Sequence, residues 1–247
     1  MKKIVLLILL VLLVSPSYAE QNELADLTFM TENYPPANYI ENGQLKGASV
    51  EVLKLIWKQL GIPEQPIQLV PWPRGYDLVQ KRKNHVLFSM SRSSSREKLF
   101  KWVGPIFVSQ HILVGLANNP LPIEKIEDAK QYKIGAIHND ISEISLLELG
   151  FPRENIDSRS NIESNILKLV NGRLDLICQS HESYRELSAK YGHDLAEFKV
   201  YGVVNTRFNH FAFNRETDDR VVAAYQQALQ AIDEQRRQIV KKYGMVP

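Results

Sequence analysis

Strand-length apolar runs alternate with helix-length amphipathic runs along nearly the whole chain, and this alternation limits the possible folds more than any other feature. Leu27 to Met30 reads as a strand and Asn42-Gly43 as a turn. Ser49 to Leu60 places Val50, Leu53, Ile56, Trp57 and Leu60 on one helical face, and Gly61 ends the helix. Ile67 to Val70 predicts a second strand, Tyr76 to Lys83 a short helix and Val86 to Phe88 a third strand. Strand, helix and strand in this order make a parallel sheet covered by helices.

Two extended stretches interrupt that rhythm. Phe107 to Leu116 is apolar without a helical period and runs into the loop signal Asn118-Asn119-Pro120-Leu121-Pro122. The alternation then restarts with a strand over Lys133 to Ile137, helices over Ile141 to Leu149 and Ile162 to Val170, and a strand over Leu174 to Cys178. Ser160-Asn161-Ile162-Glu163 has the Ser-x-x-Glu form of a capped helix start. A helix over Glu182 to Tyr191 precedes the second extended stretch, Phe198 to Val204, which is followed by Phe208 to Phe213. Near the end, Val221, Tyr225, Ala228, Leu229 and Ile232 share a helical face, and a last short helix runs through Val240 and Tyr243. Two α/β units joined by two extended crossings predict two lobes with a cleft between them. That pattern also suits many two-domain enzymes.

The first nineteen residues read as an export leader. Lys2 and Lys3 open it, eleven apolar residues follow from Ile4 to Val14, and Ser17-Tyr18-Ala19 offers small residues for cleavage after Ala19. Eleven residues make only about 16 Å of helix, about half of the roughly 30 Å core of a bilayer, so a signal peptide is the better reading than an anchor. Losing Lys2 and Lys3 with the leader leaves 28 basic and 28 acidic residues from Glu20 to Pro247. A formally neutral chain offers no basic footprint for nucleic acid or anionic lipid. The single cysteine, Cys178, rules out an internal disulfide framework and sits in a strand-like run as a buried thiol.

Five stretches carry a resemblance when read in register: Thr31-Glu32-Asn33-Tyr34-Pro35-Pro36, Gly47-Ala48-Ser49-Val50-Glu51, Pro71-Trp72-Pro73-Arg74, Ser89 to Glu97, and Trp102-Val103-Gly104-Pro105. In this order and spacing the chain, from about Leu24 to Tyr243, resembles the family-3 extracellular solute-binding proteins, best known for serving polar amino acid ABC transporters. The resemblance implies a two-lobed α/β fold of the type II periplasmic-binding-protein kind, closing by hinge motion around a ligand in the cleft. The expected division is residues 1–19 as leader, 20–112 as the first part of lobe 1, 113–203 as lobe 2, and 204–247 as the return to lobe 1. It also implies a monomer in the periplasm, no cofactor or metal, and an ABC permease or a membrane sensor as partner.

The same resemblance assigns the candidate site. Arg96, with Ser91 and Ser93, falls where relatives hold a ligand carboxylate, and a guanidinium suits that group through two parallel bonds. The alternative for Arg96 is a surface pair with Glu97. Tyr34 and Trp72 fall at aromatic walls of the pocket, and Arg74 either faces the cleft or caps a short helix. In the second lobe, Asn139 and Asp140 follow a strand at a helix start, where free N–H groups can receive an anion, unless Asp140 caps the helix itself. Ser180 stands where amino-acid binders commonly carry an Asp for the ligand's ammonium, with Glu182 as a possible substitute. A carboxylate ligand without an amine, or with a differently placed one, therefore stands beside an ordinary amino acid. A dehydratase-like enzyme on the same fold is the rival, with Glu182, His181 or His138 as acid or base. The sequence has no Gly-x-Ser-x-Gly elbow, zinc-binding helix or phosphate loop, and its six histidines lack metal-ligand spacing.

Overall fold

A computed structural model describes residues 23–161 and 163–247. The leader expected over residues 1–19 lies outside the described residues. Ten strands and seven α-helices are described. The strands are β1 (Thr28–Thr31), β2 (Tyr39–Glu41), β3 (Gln44–Lys46), β4 (Ile67–Leu69), β5 (His85–Ser91), β6 (Phe100–Leu116), β7 (Ile134–Ile137), β8 (Ile156–Arg159), β9 (Leu176–Ser180) and β10 (Phe198–Asn214). The helices are α1 (Ala48–Leu60), α2 (Trp72–Lys81), α3 (Ile141–Glu148), α4 (Glu163–Val170), α5 (His181–Lys190), α6 (Asp219–Ala231) and α7 (Asp233–Lys242).

Eight strands form one sheet in the order β4-β1-β5-β10-β6-β9-β7-β8. The strands β4, β1 and β5 run parallel at one end, as do β9, β7 and β8 at the other. Between them β6 and β10, each 17 residues long, pair antiparallel along their whole length. The far half of β10, Asn209 to Phe213, pairs with β5, whereas β6 pairs with β9 through His111 to Val114. Both chain crossings between the lobes are therefore continuous strand. The extended stretches seen in sequence are longer than their apolar runs, and Phe208 to Phe213 continues the same strand as Phe198 to Val204.

Period-two alternation puts each strand's side chains on opposite faces. Phe29, Val86, Phe88, Phe211 and Phe213 pack on one face beneath Val50, Leu53, Ile56 and Trp57 of α1 and Val221, Tyr225 and Leu229 of α6. Met30, Leu87 and Ala212 point the other way, against Trp72 and Val79 of α2. The second lobe repeats the scheme, with Leu113, Leu176 and Cys178 on one face and Ile112, Val114 and Ile177 on the other. Cys178 is buried as expected, and burial pushes its thiol pKa up.

Local details depart from the sequence reading where short-range chemistry decides. Helix α2 begins at Trp72, not Tyr76, because a proline in the first turn needs no N–H partner there. Asn42 and Gly43 both take positive φ, 52° and 76°, and join β2 to β3 as a two-residue hairpin. Asn161, rather than Ser160, caps α4 by accepting from the Ser164 N–H at 3.0 Å. Among the described residues no helix is long and apolar enough to cross a membrane.

Candidate functional site

The parallel strands of both lobes point their carboxyl ends at the seam between the lobes, the position where open α/β sheets hold ligands. After β1 come Glu32, Asn33 and Tyr34; β5 contributes Ser89 and Ser91; β9 contributes Gln179 and Ser180; the turn after β7 contributes Asp140 and Ser142. His111 from β6, Asn209 from β10 and the apolar Ile137 and Ile141 complete the lining. The inner cavity they enclose measures about 20 Å³, room for roughly one water. It adjoins a wider recess of about 380 Å³ that shares Glu32 and Asn33 and adds Trp72, Asn161, Glu163 and Tyr191.

Arg96 is 1% exposed and lies behind this lining. Its Nη1 donates to the Ser91 carbonyl at 3.0 Å and its Nη2 to the Asn139 carbonyl of the other lobe at 2.6 Å. The guanidinium sits 5.3 Å from the Trp72 ring centroid and 5.2 Å from that of Tyr76, a cation held between two aromatic faces. Its Nε has no partner. Glu97 does not pair with it; Glu97 holds Arg92 at 2.5 Å.

The other expected residues divide between lining and support. Tyr34 and Ser91 line the cavity, and the Ser91 hydroxyl donates to Asn209 Oδ1 at 3.1 Å. The buried Tyr34 hydroxyl lies beside Ser180 and Ser109 without a well-aligned hydrogen bond, and burial, helped by Glu182, raises its pKa. Ser93 is buried in the turn before Arg96, where its carbonyl accepts the Arg96 N–H at 3.1 Å and its hydroxyl meets Ser95. Trp72 is core on one side and wall of the outer recess on the other. Arg74 is exposed in the first turn of α2 and lines neither cavity.

In the second lobe two N–H groups at and just before the start of α3 are paired within the chain. Asp140 accepts from the Ser142 N–H at 3.1 Å and from its hydroxyl at 2.8 Å, while Glu143 accepts from the Asn139 N–H at 2.7 Å. Asp140 thus caps α3, the alternative to an anion at this helix start. Asn139, exposed and at φ 59°, contributes its carbonyl to Arg96 instead. Ser180 is 1% exposed, lines the cavity and accepts the Ser183 N–H at 3.2 Å, which caps α5.

Glu32, Asn33, His111, Gln179 and Asn209 were not picked out in the sequence. Glu32 and Asn33 stood inside the quoted motif beside Tyr34, and the strand-end rule reaches them. His111 had a signal of its own, a polar residue interrupting the apolar run from Phe107 to Leu116. Burial and the neighbouring Asp140 and Glu163 raise the Glu32 pKa, whereas burial lowers that of His111 and favours its neutral form. His111 Nε2 is 4.0 Å from Asp140 Oδ2. The buried Arg96 guanidinium thus lies in the field of Glu32 and Asp140, the two acids of the inner lining.

Hydrogen bonds tie the lobes together across this seam. Besides Arg96 to Asn139, Asn33 Nδ2 donates to Glu163 Oε1 at 2.7 Å, and the Ser183 hydroxyl donates to the Pro35 carbonyl at 2.8 Å. The lobes are in direct hydrogen-bonded contact across the cleft.

Comparison with known proteins agrees with this architecture. Residues 27–246 match the bacterial extracellular solute-binding proteins, family 3. A curated relative from Sinorhizobium fredii, described as a probable amino-acid ABC transporter periplasmic-binding protein, y4tE, is 23% identical over 236 residues, spanning 90% of this chain and 77% of that protein. The solved sensor domain of a histidine kinase with similarity to periplasmic binding proteins superposes with a TM-score of 0.81 at 18% identity, covering 91% of this chain and 100% of that one. EhuB in complex with hydroxyectoine gives a TM-score of 0.79 at 21% identity, with 92% of each chain covered. These likenesses establish the two-lobed α/β binding-protein fold.

Proposed function

The chain belongs to the bacterial extracellular solute-binding proteins of family 3, and on that footing we propose that it captures a small zwitterionic, amino-acid-like molecule between its lobes. The observation that carries this reading is the charge arrangement at the cleft, where the buried Arg96 guanidinium lies in the field of Glu32 and Asp140, both of which line the inner cavity. A simple carboxylate would add a third negative group beside one cation, whereas a zwitterion brings its own ammonium to the acids. The ligand carboxylate displaces the Asn139 carbonyl from Arg96, since a carboxylate, unlike a carbonyl, brings a full opposite charge and can accept two parallel bonds from the guanidinium. Tyr34, Ser91 and Ser180 contribute hydroxyls around it.

Closure occurs about the two crossings, with the lobes divided near residues 112–113 and 203–204. The protein acts as a monomer in the periplasm after loss of its leader and passes its ligand, chemically unchanged, to an ABC permease. A second reading keeps the capture and replaces the permease with a membrane signalling protein. It is favoured by the fold's likeness to a kinase sensor domain. Calorimetry against a panel of amino acids, amines and small carboxylates tests the capture. One-to-one binding of a zwitterion in preference to the matching amine or acid is expected, and the ligand should be recovered intact. Binding of simple carboxylates alone, or steady conversion of any bound compound, would overturn it.

A further inference from the structure

Resting on the capture reading, we infer that Gln179 is the specificity-determining residue of the cleft and that it selects a ligand whose side chain ends in a small, uncharged group able both to donate and to accept hydrogen bonds, a carboxamide or a hydroxyl. Gln179 is 2% exposed, lines the inner cavity, and leaves both Oε1 and Nε2 without a partner among the described residues. A buried primary amide with an idle donor and an idle acceptor is costly unless something completes it. Its neighbours in the lining narrow what that is.

Tyr34 lines the same cavity, and its buried hydroxyl has no well-aligned partner among the described residues. His111, 4% exposed, has an unpartnered Nδ1. None of the three is a carboxylate or a fixed cation, so none offers a full counter-charge to a charged side-chain tip. An amide, in contrast, can exchange a reciprocal pair of bonds with Gln179. The roughly 20 Å³ of inner space admits one small polar group and leaves no room for a long or bulky one. Arg96 and the acids Glu32 and Asp140 take the ligand's charged ends, which leaves Gln179 to read the remainder.

The test is calorimetric titration of the purified protein with L-asparagine, L-glutamine and L-serine against L-aspartate, L-glutamate and L-alanine. Within the isosteric pairs, asparagine or glutamine is expected to bind at least about tenfold more tightly than the corresponding acid, as a buried unmatched polar group requires. Gln179→Met, of similar volume but without the amide, should abolish that preference, so that asparagine and aspartate, or glutamine and glutamate, bind within about threefold of each other. Gln179→Glu, equal in size but acidic, provides a second reading if the Met variant fails to fold, and it should weaken asparagine binding by at least about tenfold. An unchanged ranking in either folded variant, or a wild-type preference for the acids, overturns the role of Gln179 while capture stands. No saturable binding of any of the six overturns this inference alone if another zwitterion of the wider panel binds, and overturns the capture reading with it if none does.

Discussion

Arg96 reaches across the cleft and donates from Nη2 to the Asn139 carbonyl at 2.6 Å, so the residue expected to hold a ligand also holds the lobes together. Its side chain is buried between the Trp72 and Tyr76 rings, so its position is set by packing as much as by hydrogen bonds. Removing it deletes the anchor and one closing bond at once. Arg96→Ala is expected to weaken binding of the best ligand in an amino-acid panel by about 10- to 100-fold, the value of a charge-assisted hydrogen bond. Arg96→Lys should recover only part of that loss, because a point charge cannot make both bonds of the fork. Calorimetry measures both; wild-type affinity in Arg96→Ala would remove Arg96 from the ligand site.

Glu32 gives the cleft a pH dependence. Burial and the nearby Asp140 and Glu163 raise its folded pKa, so the folded chain takes up this proton at a higher pH than the unfolded chain does. Its contribution to stability is complete below the ordinary carboxylate pKa of about 4.3 and is lost as pH rises through the raised folded value. His210 acts in the opposite direction: burial pushes its pKa down to about 4, so it costs stability as pH falls below the usual histidine range. Comparison with Glu32→Gln cancels the His210 effect, which both proteins share. The variant is expected to melt higher than wild type at pH 7, with the gap narrowing towards pH 5. Equal melting temperatures across that range would mean that Glu32 carries no buried charge.

The framework was legible because its signals are periodic. The buried faces of α1 and α6 were read residue by residue, and Val50, Leu53, Ile56, Trp57, Val221, Tyr225 and Leu229 all lie in the core. The site was legible only in part, since a cleft is assembled from strand ends far apart in the chain. Arg96 and Ser91 stood out by their motif, but nothing local tells that Arg92 rather than Arg96 takes Glu97. Filling of the α3 start by Asp140 and Glu143 depends on a positive-φ turn at Asn139. Gln179 gains its meaning only when β9 is laid beside β6, which places it against Ile112 and next to the His111–Ser180 pair.

Two further inter-lobe bonds allow closure to be tuned without touching Arg96. Asn33 holds Glu163 at 2.7 Å and Ser183 holds the Pro35 carbonyl at 2.8 Å. Each neutral bond contributes about 0.5–1.5 kcal/mol, and one made to a charged group about 1.5–3 kcal/mol. Ser183→Ala should therefore shift the unliganded closed-to-open ratio by about 2- to 12-fold, and Asn33→Ala by more. Small-angle scattering of the unliganded variants should show a larger radius of gyration than wild type, and saturating ligand should reduce the difference. An unchanged radius in the double variant would show that these bonds do not govern closure.

Gly47 is where the backbone leaves least freedom near the cleft. It precedes α1 at φ 123°, a conformation that side chains rarely adopt, and a Cβ there would collide with the Ala37 carbonyl. That carbonyl cannot simply retreat, because it accepts the Ser49 N–H at 2.9 Å and so fixes the first turn of α1. Ser49 in turn receives the Ser89 hydroxyl at 2.8 Å, and Ser89 also lines the inner cavity. Strain at a position of this kind costs about 1–3 kcal/mol before any steric overlap. For a chain of this size each kcal/mol lowers the melting temperature by about 2–4 °C. Gly47→Ala is therefore expected to lower it by at least about 4 °C and, by moving Ser89, to weaken ligand binding as well. Gly43→Ala supplies the control: its φ is also positive, at 76°, but a Cβ there meets nothing within 4 Å. The control should lose about 1 kcal/mol and keep wild-type affinity. Equal losses in the two variants would show that the contact with Ala37 does not constrain the cleft.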